Sequence, residues 1–209
     1  MTNVLILGAG GQIARWVIQM IADDRNIRLT LFLRNARRLS DENARVVEGD
    51  VLDRSSLDAA MRGQDVVYAN LTGDDIDAQA KSVIESMQAA GVKRLVFVTS
   101  LGIYDEVPGT FGEWNRREIG TYLPPFRRAA DAIEASSLDY TILRPAWLSD
   151  ADEVDYATTT RGQPFEGTEV SRKSVAALIA QIIAAPSLYV GGNLGVHKPG
   201  SDGDKPAFL

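Results

Sequence analysis

Short apolar segments alternate with longer amphipathic ones through the first two thirds of the chain. The apolar segments are rich in Val, Ile and Leu and do not alternate strictly with polar residues. That pattern is typical of strands in a parallel sheet that is covered on both faces. The predicted strands are Val4–Leu7, Ile27–Leu33, Ala44–Val47, Asp65–Asn70, Arg94–Thr99 and Asp139–Leu143.

The amphipathic segments between these strands have helical spacing. In Gln12–Ala22 the apolar residues recur every three to four positions, and Asp74–Ala90 ends at Gly91, a residue that commonly stops a helix. Shorter helices are predicted for Ser55–Met61 and Ala129–Ser136. Because strands and helices alternate, the chain is expected to have an α/β fold with a doubly wound parallel sheet and helices on both faces.

Two regions depart from this alternation. Between Ser100 and Tyr122 the chain is rich in glycine and aromatic residues, which predicts a long loop of the kind that is functional or disordered. From residue 150 onward we expect an acidic loop, a short extended segment at Tyr156–Thr160, a helix at Ser171–Ala185 and an irregular tail at Gly200–Leu209.

Composition excludes several classes of protein. The 209 residues include no cysteine and one histidine, which excludes disulfides, cysteine nucleophiles, iron–sulfur clusters and multi-histidine metal sites. No metal is therefore expected, and His197 is predicted to be structural rather than catalytic. The acidic residues of Asp150–Asp155 are interpreted as a solvated loop.

Charge and hydropathy limit the partners and the location. The net charge of −6 has the wrong sign for a surface that follows a phosphate backbone, so no nucleic-acid partner is expected. The longest apolar stretch, Val175–Pro186, is shorter than the roughly 20 residues that span a bilayer, so no membrane partner is expected either. No basic segment precedes the first apolar run, as it would in a secretion signal, and a cytoplasmic protein is predicted.

The strongest chemical signal is the glycine-rich turn in Val4–Ala14 (VLILGAGGQIA), which lies between the first predicted strand and the first helix. Such a turn lets the backbone approach a diphosphate, which the helix N-terminus then stabilises. The pattern G-x-G-x-x-G fails at its last position, whereas G-x-x-G-x-x-A fits. The alternative is a tight turn in another doubly wound protein. The residues predicted to bind a dinucleotide here are Gly8, Gly10, Gly11, Gln12 and Ile13.

The ends of the next strands refine the prediction. An NAD enzyme usually has an acidic residue at the end of the second strand, but this chain has Arg34, which suits the 2′-phosphate of NADP(H). NADP(H) is therefore the preferred cofactor and NAD(H) remains possible; a solvated basic stretch with Arg37 and Arg38 is the alternative. Asp50 and Val51 are predicted to contact the adenine. Asp53 is read equally well as a helix cap, and Asn70 is predicted to border the cofactor.

At this point the chain resembles the atypical short-chain dehydrogenase/reductase superfamily, specifically its NmrA-like NAD(P)-binding branch. The resemblance rests on Gly8–Ala14, Gly49–Val51, Val98–Gly102, Leu138–Trp147 (LDYTILRPAW) and Val170–Ala176. It implies a Rossmann-like fold in one domain, residues 1–209, with a dinucleotide-binding core at 1–149 and a small C-terminal substrate region at 150–209. It also implies that Pro145, Ala146 and Trp147 lie against the nicotinamide.

The resemblance further implies a catalytic serine and a tyrosine–lysine pair. Ser100 matches the serine that polarises a substrate carbonyl after the fifth strand. In active members a tyrosine acts as general acid and a lysine four residues later lowers its pKa. Tyr122 is instead followed at that distance by Phe126, so the pair is disrupted.

The candidates for the missing pair are therefore less regular. Arg127 is nearest to the expected lysine position, and a one-residue shift would bring Tyr122 into place, because Pro124 and Pro125 are expected to exclude a regular helix. Tyr104 is the rival general acid, and a site without any protein acid is the third possibility.

The resulting hypothesis is an NADP(H)-dependent oxidoreductase that transfers a hydride between the nicotinamide and a small carbonyl-bearing or conjugated substrate, as a monomer or homodimer. The alternative is a non-catalytic, dinucleotide-binding redox sensor, which the disrupted pair favours. Epimerase activity on a nucleotide sugar is disfavoured, because little chain follows Pro145 to form a sugar-nucleotide subdomain.

Overall fold

The computed structural model describes residues 1–38 and 44–209 as an eight-stranded sheet with helices on both faces. The strands are β1 (Thr2–Leu7), β2 (Ile27–Leu33), β3 (Arg45–Glu48), β4 (Val66–Ala69), β5 (Arg94–Val98), β6 (Asp139–Pro145), β7 (Trp147–Ser149), β8 (Ala157–Thr160), β9 (Glu169–Ser171) and β10 (Gly192–His197). The helices are α1 (Gln12–Ile21), α2 (Arg54–Met61), α3 (Ile76–Ala90), α4 (Gly109–Ile119), α5 (Leu123–Glu134) and α6 (Arg172–Ala184).

The strand order confirms the predicted doubly wound sheet. The order is β3-β2-β1-β4-β5-β6-β10-β8, and every neighbouring pair is parallel except β10 with β8. The strand order reverses between β1 and β4, so the crevice at their carboxyl ends is the place where such sheets bind ligands. Strands β7 and β9 form a separate parallel pair.

The apolar strand β1 is buried because helices cover both faces of the sheet. Val4 and Ile6 belong to the core that α1 and α6 cover, whereas Leu5 and Leu7 belong to the core under α2, α3 and α5. All four side chains are fully buried. This two-sided burial explains why the first strands are apolar throughout rather than alternating.

The segment after β5 differs from the prediction. The expected long loop contains α4, which begins directly after Pro108, and α5 starts at Leu123 rather than at residue 129. The prediction that Pro124 and Pro125 exclude a helix is wrong. Both lie in the first turn of α5, where a backbone N–H has no intrahelical acceptor and its loss costs nothing.

The C-terminal region adds a strand that the sequence pattern did not predict. Strand β10 pairs in parallel with β6 and carries the edge strand β8, which matches the predicted extended segment. His197, at the end of β10, is buried with its ring edge against Phe165. None of the helices in the described part of the chain is long and apolar enough to cross a membrane.

Candidate functional site

A cleft of about 760 Å³ opens at the carboxyl ends of the central strands, on both sides of the reversal in strand order. Residues that follow β1, β2, β3, β4 and β5 all reach it. Most of the residues predicted to bind a cofactor line this one cleft: Gly8, Gly10, Gly11, Gln12, Ile13, Arg34, Asp50, Val51 and Asn70.

The glycine turn is packed against the end of β4. Gly8 has a φ of +74°, and a Cβ there would lie 2.2 Å from the carbonyl oxygen of Asn70. A Cβ on Gly11 would lie 2.1 Å from Nδ2 of the same asparagine. A side chain does not fit at Gly8, where φ is positive and the contact is with backbone, and a side chain at Gly11 would displace the Asn70 amide group. The two glycines therefore let the backbone of the turn line the cleft.

The first turn of α1 presents free amide groups at the cleft. The first hydrogen bond of the helix runs from the Arg15 N–H to the carbonyl of Gly11, at 3.0 Å. The N–H groups of Gln12, Ile13 and Ala14 therefore precede the intrahelical hydrogen bonds. With the positive end of the helix dipole, they form a site that favours an anion such as a diphosphate.

The residues after β2 and β3 lie at the edge of the cleft. Arg34 is exposed and lines it directly after β2, and a carboxylate oxygen of Glu48 accepts a 2.9 Å hydrogen bond from the N–H of Ala36, which fixes this turn. Asp50 lines the cleft, and its Oδ1 accepts from the N–H of Leu52 at 2.9 Å.

Asp53 caps α2 by accepting from the Ser55 N–H, so the capping interpretation of Asp53 is confirmed.

Ser100 and Tyr122, two of the predicted catalytic residues, do not line the cleft. Ser100 is half-buried, and its hydroxyl donates to the Leu101 carbonyl at 3.1 Å. Tyr122 precedes α5 with 58% of its surface exposed. The neighbours of these residues do line the cleft: Thr99, next to Ser100, and Phe126, one helical turn after Tyr122.

Tyr104 and Arg127 are close to each other, and neither lines the cleft. The guanidinium of Arg127 lies 4.6 Å from the centre of the Tyr104 ring, and that of Arg161 lies 4.4 Å from it. The Tyr104 hydroxyl accepts a hydrogen bond from Asn193 Nδ2 at 2.8 Å. Burial, followed by the negative charge of Glu134, raises the pKa of Tyr104 above its ordinary value. This shift is opposite to the one that a catalytic lysine would produce.

The Pro145–Trp147 segment is held by β10 and α4 and does not line the cleft. The N–H of Ala146 donates to the Val196 carbonyl at 2.9 Å. Trp147 donates from Nε1 to Asn115 Oδ1 at 2.8 Å. Leu148, the next residue, is the one that lines the cleft.

Several cleft residues were not predicted as site residues. Thr99, Phe126, Leu148 and Arg172 all line the cleft. Arg172 lies in the Val170–Ala176 motif, which sequence reasoning used only for its resemblance. A usable signal was present, because an arginine in the first turn of a helix opposes the helix dipole and needs a reason to be there.

Comparison with known proteins identifies the family. The profile of a family described as NAD(P)H-binding matches residues 8–186, which include the glycine turn, the strand ends and α6. The chain belongs to this NAD(P)H-binding family. The predicted resemblance to the atypical short-chain dehydrogenase/reductase superfamily is thereby confirmed.

Solved structures and a curated relative agree with this assignment. A Rossmann-fold NAD(P)-binding family protein from Shigella flexneri is 56% identical over the full length of both chains, with a TM-score of 0.87. A short-chain dehydrogenase/reductase from Veillonella parvula, solved in complex with NADP, is 27% identical over 99% of both chains, with a TM-score of 0.92.

The curated relative is the (4-alkanoyl-5-oxo-2,5-dihydrofuran-3-yl)methyl phosphate reductase of Streptomyces griseus, which is 30% identical over 144 residues. The match covers 68% of this chain and 46% of the reductase, so the chain spans about half the length of that relative.

The residues of the cleft fit an NAD(P)H molecule. A Cβ at Gly8 or Gly11 would collide with Asn70, and the backbone that these glycines bring into the cleft ends in the free amides of α1. The volume lies within the range that small-molecule and cofactor sites occupy.

Proposed function

We propose that this NAD(P)H-binding protein is an NADPH-dependent reductase of a small carbonyl-bearing or conjugated substrate. The observation that supports it is one cleft that combines the glycine turn, the free amides of α1 and Arg34 at the end of β2. The reductase name of the Streptomyces relative supports the direction of the reaction.

Each part of the cleft has a proposed role in holding the cofactor. The amides of Gln12 and Ile13 bind the diphosphate, Arg34 binds the 2′-phosphate, and Asp50 with Val51 receives the adenine. Pro145, Ala146 and Trp147 support the nicotinamide side through Leu148. When bound, the reduced nicotinamide supplies a hydride to the substrate.

The chain's own residues orient the substrate and exclude water. Val98, Phe126 and Leu148 give this part of the cleft an apolar lining. Thr99 also lines it, with its hydroxyl donating to the Leu143 carbonyl at 3.1 Å. Ser100 is the proposed donor that orients the reacting oxygen. In a low-dielectric site such a donor stabilises developing negative charge more strongly than in water.

Tyr122 is better placed than Tyr104 to donate the proton. Tyr122 has helical dihedral angles and lies four residues before Phe126, which lines the cleft, so both side chains project from the same face of the helix. Tyr104 has its hydroxyl bound to Asn193, and burial raises its pKa. Arg127, which pairs with Asp131 at 2.8 Å on α5, is the proposed cation at the expected lysine position.

A non-catalytic dinucleotide sensor is the second candidate function. The observation that favours it is that none of Ser100, Tyr104, Tyr122 and Arg127 lines the cleft in the described structure. The hydrogen bond from Asn193 to the Tyr104 hydroxyl also favours a sensor, because it occupies the hydroxyl that a general acid would use.

A titration followed by a turnover assay separates the two candidates. We expect NADPH to bind the purified protein tightly and NADH weakly, as followed by cofactor fluorescence. We also expect a panel of carbonyl and quinone substrates to cause NADPH oxidation. Tight binding without oxidation of any substrate would support the sensor, whereas failure of both cofactors to bind would contradict both functions.

Replacing Ser100 with alanine tests its catalytic role. We expect kcat to fall by about tenfold, as loss of one orienting hydrogen bond implies, while the Kd for NADPH stays the same. Ser136→Ala is the matched control, because its hydroxyl also donates to a backbone carbonyl, at 2.6 Å to Ile133. An unchanged kcat in Ser100→Ala would remove Ser100 from the mechanism.

A further inference from the structure

Arg172 reaches the cofactor cleft from the C-terminal region. It is the first residue of α6, its side chain is 20% exposed, and it lines the cleft together with Gln12, the first residue of α1. Helices α1 and α6 pack against each other on the same face of the sheet. The two helix N-termini and the guanidinium therefore add positive potential at one part of the cleft.

The position of Arg172 is unfavourable for the helix alone. Acidic residues are preferred in the first turn of a helix, yet α6 begins with Arg172 and Lys173 and has no acidic residue in that turn. Where a local rule is broken, a functional reason is expected. An anion bound in the cleft would supply it.

The hydrogen bonds of Arg172 leave part of its guanidinium available. Nη1 donates to the Leu148 carbonyl at 3.1 Å and to Asp150 Oδ1 at 2.8 Å. Within residues 1–38 and 44–209, no hydrogen bond involves Nε or Nη2. The carboxylate of Asp150 is 77% exposed, so water competes strongly for it and the ion pair is easily exchanged.

The place of Asp150 indicates which anion would replace it. Asp150 borders a shallow cavity of about 230 Å³ together with Gln12 and Arg15, on the first turn of α1. Asp150 thus lies beside the first turn of α1 and does not itself line the cleft, whereas its partner Arg172 does. Arg34, after β2, is the other basic residue that lines the cleft in the described chain.

We propose that Arg172 binds the diphosphate of the dinucleotide together with the amides of the first turn of α1, exchanging Asp150 for a phosphate oxygen. The inference rests on the proposed cofactor binding and assigns to it a residue from outside the dinucleotide-binding core. Arginine suits this role because its planar guanidinium forms charge-assisted hydrogen bonds with phosphate.

Arg172→Gln tests the proposal, with Lys173→Gln as the matched control. Lys173 is the next residue of α6, pairs with Asp152 and stacks over Trp16, and does not line the cleft. Both variants lose one positive charge at the same helix end. We expect Arg172→Gln to weaken binding of NADP⁺ by about tenfold or more and Lys173→Gln to change it less than about threefold.

Two further ligands locate the contact. 2′-Phospho-ADP-ribose keeps the diphosphate and lacks the nicotinamide, whereas 2′-AMP lacks the diphosphate. Arg172→Gln should weaken the first as much as NADP⁺ and leave the second unchanged. Equal losses for all three ligands would indicate general damage to the site and overturn the proposal. So would an unchanged Kd for NADP⁺ accompanied by a raised KM for an anionic substrate.

Asp150→Asn tests the exchange itself. Removing the competing carboxylate should tighten NADP⁺ binding at least about twofold, in the opposite direction to Arg172→Gln. Weaker binding in Asp150→Asn would mean that Asp150 positions Arg172, and would overturn the exchange. If the wild-type protein binds no dinucleotide, the proposed function falls together with this inference. If the wild type binds and Arg172→Gln binds equally well, only the inference falls.

Discussion

Replacing Arg144 with methionine is expected to lower the free energy of unfolding by about 3–5 kcal/mol. Arg144 is 1% exposed and forms an ion pair with Glu106, which is 6% exposed. Its Nε also donates to Asn193 Oδ1 at 2.8 Å. Methionine has a similar length but no charge, so the variant leaves the Glu106 carboxylate buried without its cation. Urea unfolding measures the difference.

The carboxylate of Glu106 explains why the loss is large. Its Oε1 accepts from the N–H of Gly102 at 3.1 Å and its Oε2 from that of Tyr104 at 2.9 Å. Arg144 therefore holds, through Glu106, the chain that follows Ser100. The Leu-Arg-Pro motif was recognised only by resemblance, and the structure gives a physical explanation for its arginine. Arg144, in β6, pairs with Glu106 in the turn after β5 and donates a hydrogen bond to Asn193 in β10.

A second substitution distinguishes an unpaired charge from lost packing. Glu106→Gln removes the charge and keeps an oxygen that accepts from the backbone. The double variant Arg144→Met/Glu106→Gln should therefore be more stable than Arg144→Met alone. A double variant that is less stable than either single variant would show that packing, rather than charge, dominates. If Arg144→Met does not fold, folding of the double variant decides the question.

Arg161→Met is the matched control for this experiment. Arg161 also stacks on the Tyr104 ring and pairs with Glu134, but its side chain is 47% exposed. The Glu134 side chain is 14% exposed, but it also accepts from Asn193 Nδ2 at 2.8 Å, and water can take the place of the half-exposed guanidinium. The expected loss is therefore less than about 1 kcal/mol. A loss as large as that of Arg144→Met would contradict the argument from burial.

The fold was predictable wherever one physical signal dominated. Buried parallel strands such as β2, Ile27–Leu33, are apolar throughout, and the prediction for this strand matches the structure at both ends. The first two turns of helix α5 were not predicted. The sequence alone does not show whether a proline lies in the first turn of a helix, where it is tolerated, or in the interior, where it breaks the helix. Strand β10 was missed because its glycines weaken the strand pattern, and its pairing with β6 provides the stabilisation.

The candidate site was predictable at the strand ends and not beyond them. Gly8, Arg34 and Asp50 follow consecutive strands, and parallel strands bring their carboxyl ends to one edge, so a sequence pattern implies a common location. Arg172 comes from a helix that is distant in sequence, and only the packing of α6 against α1 places it there. The catalytic residues stay a prediction, because an inexact tyrosine–lysine pattern gives a position in sequence without a position in the cleft.

The largest effect on cofactor choice is expected from Arg34→Asp, which should change the ratio of NADPH to NADH affinity by at least about a hundredfold in favour of NADH. A charge-assisted hydrogen bond contributes about 1.5–3 kcal/mol, and each 1.4 kcal/mol corresponds to about a factor of ten in Kd. The aspartate also repels the 2′-phosphate of NADPH and can accept hydrogen bonds from the ribose hydroxyls of NADH. Fluorescence titration of the variant with both cofactors measures the ratio.

Arg37→Asp is the control that separates a specific contact from a basic surface. Arg37 is exposed in the short 3₁₀ turn Ala36–Arg38, carries the same charge and does not line the cleft. If Arg34 binds the 2′-phosphate directly, Arg37→Asp should change the ratio by less than about threefold, because an exposed charge beyond contact distance is screened by salt. Equal shifts in the two variants would indicate a diffuse basic stretch. An unchanged ratio in Arg34→Asp would contradict the preference for NADPH and leave the glycine turn as the only basis for dinucleotide binding.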